Sequence, residues 1–200
     1  DMRAARSLYR DALDAAHESK SPEHIATATI TIAHAHHRAG DYSSADREFT
    51  EAEDLFRASG ERDRLADALY WHGISLRAAE FTERALIKWR EEEPVRRELG
   101  DDAGLGDCLF EQALVQRDRD EHLDVERLMI GAADAYERTN ALIGLANVRF
   151  AHADWLRERG RDGEARVRVD ECLRVVESAR NPQTECRART LRSLLMADSG

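Results

Sequence analysis

LADALYWHGISLRAAEFTERALIKWREEEPVRRELG, residues 65–100, holds two amphipathic segments and the glycine that ends the second. Leu65, Ala66, Leu69, Gly73 and Leu76 recur at helical spacing and make one apolar stripe. That stripe stops near Ala79 and Glu80. A second begins at Phe81, passes through Ala85, Trp89 and Leu99, and ends at Gly100. Neither segment alternates with period two, so strands are not expected. Pro94 falls inside the second segment. A helix-interior proline removes a hydrogen bond and costs about 3 kcal/mol, so a kink is expected there.

The same double segment recurs every 40 residues along the chain. One register reads Ala5, Ala45, Ala85, Val125, Ala165, and another Tyr9, Phe49, Trp89, Met129, Val169. A third reads Ala33, Gly73, Ala113, Ala153, and a fourth Ile25, Leu65, Leu105, Leu145. A fixed period of this length marks stacked supersecondary units. The punctuation obeys the same ruler. Gly40 and Gly160 fall inside a unit, whereas Gly60, Gly100 and Asn140 fall between units. Glycine and asparagine tolerate the left-handed conformation that ends a helix. Ser21-Pro22 and Asn181-Pro182 each offer an N-cap followed by proline at the first helical position.

The expected fold is all-α, an α-solenoid of antiparallel helix pairs with about ten helices in one repeat domain spanning 1–200. A lone helix occupies 1–19, pairs occupy about 22–59, 62–99, 102–139 and 142–179, and a capping helix occupies 182–197.

Composition narrows the function classes. The net charge is -10, with 30 basic and 40 acidic residues, which argues against direct nucleic-acid binding. Lys20 and Lys88 are the only lysines, and this arginine bias with many alanines points to a GC-rich bacterial genome. Cys108, Cys172 and Cys186 are odd in number and lack C-x-x-C spacing, so neither a disulfide framework nor a zinc site is indicated. Reduced thiols in a cytoplasmic protein are the plain reading. No apolar run reaches membrane-spanning length and no signal peptide is visible, so no membrane partner is expected. Asp1 before Met2 reads either as a tag scar or as a cut from a longer chain.

No constellation rises to catalysis, and no cofactor is indicated. H-E-x-x-H, Walker-type and G-x-S-x-G motifs are missing. His34 and His37 share a helix face, but no carboxylate or cysteine of suitable spacing accompanies them on that helix, so they read as a polar pair rather than a metal site. His72 and His152 share a register and read as structural groups at a helix contact. Glu91, Glu92 and Glu93 read as a solvated face, although Glu92 stands where a small core residue is expected.

These registers resemble the tetratricopeptide repeat in its longer, 40-residue variety, as found in kinesin light chain and in many bacterial regulators and adaptors. The family places small residues where its helices cross, as at Ala33, Gly73, Ala113 and Ala153, and again at Ala5, Ala45, Ala85 and Ala165, with Val125 a departure. A large residue follows four positions later at Tyr9, Phe49 and Trp89, weaker at Met129 and Val169. A further small residue stands at Ala12, Ala52, Ala132 and Cys172, from which Glu92 departs. The resemblance implies a right-handed superhelix whose first helices line a concave groove.

Four groove registers follow from it: Thr27, Asp67, Asp107, Asn147; Ile30, Tyr70, Phe110, Phe150; His34, Ile74, Leu114, Asp154; and His37, Arg77, Arg117, Arg157. Tyr70, Phe110 and Phe150 would form an aromatic ladder, with Arg77, Arg117 and Arg157 as a parallel cationic ladder. Arginine pairs with carboxylates and stacks on rings, so the implied partner is a protein or peptide, acidic or carboxylate-bearing, with Asn147 holding its backbone. The competing structural reading has the arginines complementing helix ends and the aromatics packing on neighbours. The implied function is a non-enzymatic interaction scaffold. Its alternatives are the regulatory or sensor arm of a larger bacterial transcriptional regulator, and a self-associating module. The last comes from Leu191, Leu194, Leu195 and Met196, expected to lie uncovered and to support a homodimer through the C-terminal helix.

Overall fold

A computed structural model describes residues 21–118 and 122–197. The expected helix at 1–19 lies outside them. Nine helices run through the described residues: α1 Pro22–Arg38, α2 Tyr42–Ser59, α3 Arg62–Ala78, α4 Thr82–Leu99, α5 Asp102–Asp118, α6 His122–Thr139, α7 Leu142–Glu158, α8 Asp162–Ala179 and α9 Pro182–Ala197. The described residues fall into two compact units, divided between Leu99 and Gly100. In the first, α1 to α4 pack in sequence and α1 also touches α3; in the second, α5 to α9 do the same, with α5 touching α7 and α7 touching α9. No described helix is long and apolar enough to cross a membrane.

The helix ends follow local chemistry. The Ser21 hydroxyl accepts from the His24 N–H with Pro22 at the first helical position, and Asn181 caps α9 in the same way through the Thr184 N–H. Gly60 ends α2 at φ 78°, in the left-handed region. Glu80 and Arg180 take that region at φ 66° and 50° without being glycine, at turns whose places the periodicity marked but whose backbone conformation it did not. Helix α4 continues through Pro94, which lies exposed.

Aromatic rings lie directly on glycines where the helices approach closely. A Cβ on Gly73 would stand 2.4 Å from Trp89 Nε1, so Trp89 fills the space inside its own pair, and its indole N–H donates to the Tyr70 carbonyl at 3.3 Å. In the same register Phe49 stacks on His72 of α3 at 5.4 Å and meets His34 of α1 edge-on at 5.4 Å, so it bridges its own pair and the next. In the second unit Tyr136 of α6 is wedged between Gly106 of α5 and Gly144 of α7, and its hydroxyl donates to Asp107 at 2.6 Å. Around it runs one continuous apolar core from Leu105 to Leu195.

Two corrections follow from burial. Glu92 is not part of a solvated face: it is fully buried, and Arg96 Nε donates to it at 2.9 Å while Arg96 Nη2 reaches Asp67 of α3 at 2.8 Å. A short side chain is replaced here by a buried charge with its own counter-charge. Leu191 and Leu195 are likewise not uncovered; both are buried in the core with α7 and α8, leaving Leu194 and Met196 exposed.

A second buried acid joins three helices of the first unit. Glu53 of α2, 1% exposed, meets His72 Nδ1 at 2.6 Å and Lys88 Nζ at 2.5 Å. His72 Nε2 meets Asp46 at 2.8 Å, and Arg84 clamps Asp46 through both terminal nitrogens at 2.9 and 2.7 Å. Burial pushes the Asp46 carboxyl up, but the hydrogen bonds from Arg84 and His72 outweigh it and hold the group below its usual range. Removing one member of such a cluster leaves an uncompensated buried charge.

Two outcomes in urea denaturation follow. Gly73→Ala overpacks the Trp89 contact and costs about 1–3 kcal/mol, whereas Gly163→Ala, with nothing within 4 Å of its added Cβ, is neutral or stabilises by up to about 1 kcal/mol. Glu53→Gln costs about 3–5 kcal/mol, while Arg189→Ala, whose side chain is 64% exposed, costs less than about 1 kcal/mol.

Candidate functional site

The expected groove registers lie on the first helices of the pairs, α1 and α3 in one unit and α5 and α7 in the other. In the first unit a concavity of about 220 Å³ opens between α1 and α3. Thr27, Ile30 and His34 line it from α1, and Asp67 and Trp71 from α3. Arg64 donates to the Thr27 hydroxyl at 2.8 Å, and Asp67 is held by Arg96. His34 meets the Trp71 ring edge-on at 5.3 Å. Burial first, then the neighbouring His37, push the His34 imidazole below its usual value, against the pull of Asp67.

The other residues expected here are placed differently. Tyr70 lies beside Trp71, ring centroids 5.6 Å apart. Arg77 is drawn over the Trp89 ring at 5.9 Å, and His37 packs at 5.8 Å from Tyr42, its imidazole lowered by burial. Trp71 was missed in the sequence because it lies one position beyond the aromatic register at Tyr70; its 42% exposure makes it the large apolar surface of this face.

In the second unit a larger concavity, about 500 Å³, opens between α5, α7 and α9. Here Phe110, Phe150, Asn147 and Arg117 converge as the registers imply. Phe150 is buried, Phe110 is half-buried, and Ile143 adds an exposed apolar side chain. Arg117 reaches Asp154 at 2.7 Å and Glu158 at 2.5 Å on α7, so its charge is already compensated. Arg157 turns to Asp154 on its own helix at 3.3 Å and does not line the concavity. The cationic ladder is therefore engaged in internal contacts at each of its three steps.

Helix α9 completes this site with residues that sequence reasoning passed over. The Thr184 hydroxyl donates to Asn147 Oδ1 at 2.8 Å, and the Arg187 guanidinium lies 4.2 Å from the centre of the Phe150 ring. The signal was present: Arg187 stands 40 residues past Asn147, one step further along the register that begins at Thr27.

The opposite face of α7 carries His152, nearly buried, with Glu126 3.7 Å away. Burial, reinforced by Arg168, pushes its imidazole down to about 4, although Glu126 opposes the shift. Between about pH 6.5 and 4 the unfolded chain binds a proton that the folded chain does not, so stability falls as pH drops through that window and levels off below it. His152→Gln is expected to reduce the slope of denaturation free energy against pH by up to about 1.4 kcal/mol per pH unit. The Glu126 carboxyl is itself held below its usual range, chiefly by the Arg161 hydrogen bond.

No protein-family model matches the chain, and no curated protein matches it in sequence. Solved structures do share its fold. Aspartyl phosphate phosphatase F from Bacillus subtilis is similar with a TM-score of 0.85 at 13% identity, covering 98% of this chain and 51% of that one. The apo form of RapI is similar at a TM-score of 0.86 and 13% identity, covering 98% and 71%. A Rap protein complexed with competence and sporulation factor is similar at a TM-score of 0.72 and 12% identity, covering 96% and 56%. The chain spans about half the length of phosphatase F. At these identities the likeness concerns the fold: the chain is an all-helical repeat of tetratricopeptide-like type, with the helix architecture of the Rap proteins.

Proposed function

We propose that this chain is a non-enzymatic interaction module that holds a segment of a protein or peptide against its first helices, built on the 40-residue variety of the tetratricopeptide repeat. One observation carries the reading. In each unit a concavity opens on the first-helix face, lined by residues of the same registers: Thr27, Ile30 and His34 in one, Asn147, Phe110 and Leu114 in the other. Both combine aromatic or aliphatic walls with a few polar groups, the usual make-up of a site that orients a ligand. The likeness to a Rap protein in complex with competence and sporulation factor supports the same use of the fold. It also favours a second reading, a sensor arm whose bound partner controls other parts of a longer polypeptide.

The reading is tested on an array of random decapeptides probed with the intact protein. Ile143→Asp and Val167→Asp replace residues that are 58% and 54% exposed, on α7 and α8 respectively, so neither disturbs the core. Ile143→Asp is expected to weaken the selected peptides at least about tenfold, a loss of about 1.4 kcal/mol, and Val167→Asp to leave them unchanged. Equal binding by both variants and wild type, or loss in Val167→Asp alone, overturns the assignment to the first-helix face.

A further inference from the structure

We propose that Arg187, laid on the Phe150 ring, is the carboxylate anchor of the concavity between α5, α7 and α9, and that its ligand is a peptide segment presenting a carboxylate beside an apolar side chain. This rests on the groove reading above and gives it a chemistry.

Charge is the first argument. The chain carries 40 acidic and 30 basic residues, yet none of the side chains lining this concavity is Asp or Glu, and two are arginine. Of those two, Arg117 is neutralised by Asp154 and Glu158. Arg187 is not. Arg189 pairs with Glu185 and Arg192 with Asp170, but Arg187 has no carboxylate partner among the described residues and is exposed. An uncompensated cation in a protein of net charge -10 is therefore placed where its field meets the ligand rather than a neighbour.

Geometry is the second. With the guanidinium 4.2 Å from the ring centre, Phe150 supports the cation, and the in-plane N–H groups remain for a planar acceptor. A supported guanidinium loses less freedom on binding than a free one, and its fork matches the two oxygens of a carboxylate. Asn147 is oriented as well. Its oxygen is taken by the Thr184 hydroxyl, and its amide nitrogen has no partner among the described residues, so it presents donors. Arg187 and Asn147 together thus favour a ligand rich in acceptors, a carboxylate and a peptide carbonyl. One uncompensated positive charge suits a monoanion better than a phosphate dianion. Phe110, Leu114 and Ile143 supply the wall for an apolar side chain next to the acid.

The test uses the intact chain on octapeptide libraries in three arms: free C-terminal acids without internal Asp or Glu, C-terminal amides with internal Asp or Glu, and C-terminal amides with Asn or Gln instead. Wild type, R187Q and R187K are compared, with helicity checked by circular dichroism. Wild type is expected to prefer at least one acid arm over the neutral arm by about tenfold or more, and the preferred arm identifies the source of the carboxylate. R187Q is expected to abolish that preference while binding the neutral arm as before, and R187K to keep only part of it. An undiminished acid preference in R187Q overturns the anchor. Equal binding of all arms by wild type removes the anchor and leaves the groove. Binding of no peptide removes both. Displacement of acid peptides by inorganic phosphate but not by acetate assigns a phosphate to the site and overturns the carboxylate.

Discussion

Where Trp89 lies on Gly73, and where Tyr136 lies between Gly106 and Gly144, an aromatic face meets backbone that carries no side chain. These approaches set how closely the helices of each unit stand, because a ring is rigid and a missing Cβ leaves no slack to redistribute. The polar ends of the rings then fix their rotation: the Trp89 indole N–H finds a carbonyl and the Tyr136 hydroxyl finds a carboxylate. Once spacing and rotation are set, the first helices are held side by side with their outer faces open. The concavities between α1 and α3 and between α5, α7 and α9 are the consequence.

The buried charges lie under that scaffold. Glu53 and Glu92 have almost no exposed surface, and both are tied to cations on a neighbouring or the same helix. Each pair relieves most of the penalty of burying an acid, and each fixes relative helix positions through directional bonds that apolar packing lacks. The ion pair at Arg117 is half-buried and closer to the ligand face. Arg117 together with Arg157, which also pairs with Asp154, offsets the carboxylates of Asp154 and Glu158 beside the concavity, so Arg187 is the lining cation without an acidic partner among the described residues.

Much of the fold was legible beforehand, for a local reason. Apolar periodicity, the Ser21-Pro22 and Asn181-Pro182 starts, and the stops at Gly60 and Gly100 act within a helix or at its ends, so a 40-residue ruler locates the helices α1 to α9 closely. The breaks at Glu80 and Arg180 were placed by the same ruler, but their left-handed backbone was not, because neither residue type favours it. Phe110, Phe150 and Asn147 were readable as one face because register along stacked helices is also a matter of counting.

What the tertiary structure alone decided is how the charges are spent. The partners of Arg117 come from 37 and 41 residues away, and those of Glu53 from 19 and 35. No pattern within a helix encodes which long side chain reaches across to which carboxylate. That choice depends on helix spacing and burial, and it turned an expected cationic ladder into internal contacts, a ring contact at Arg77 and ion pairs at Arg117 and Arg157, while leaving Arg187 uncompensated among the described residues. Sequence by itself determined the helices, their order and the face they present; the packed structure determined which groups on that face still have a charge to offer.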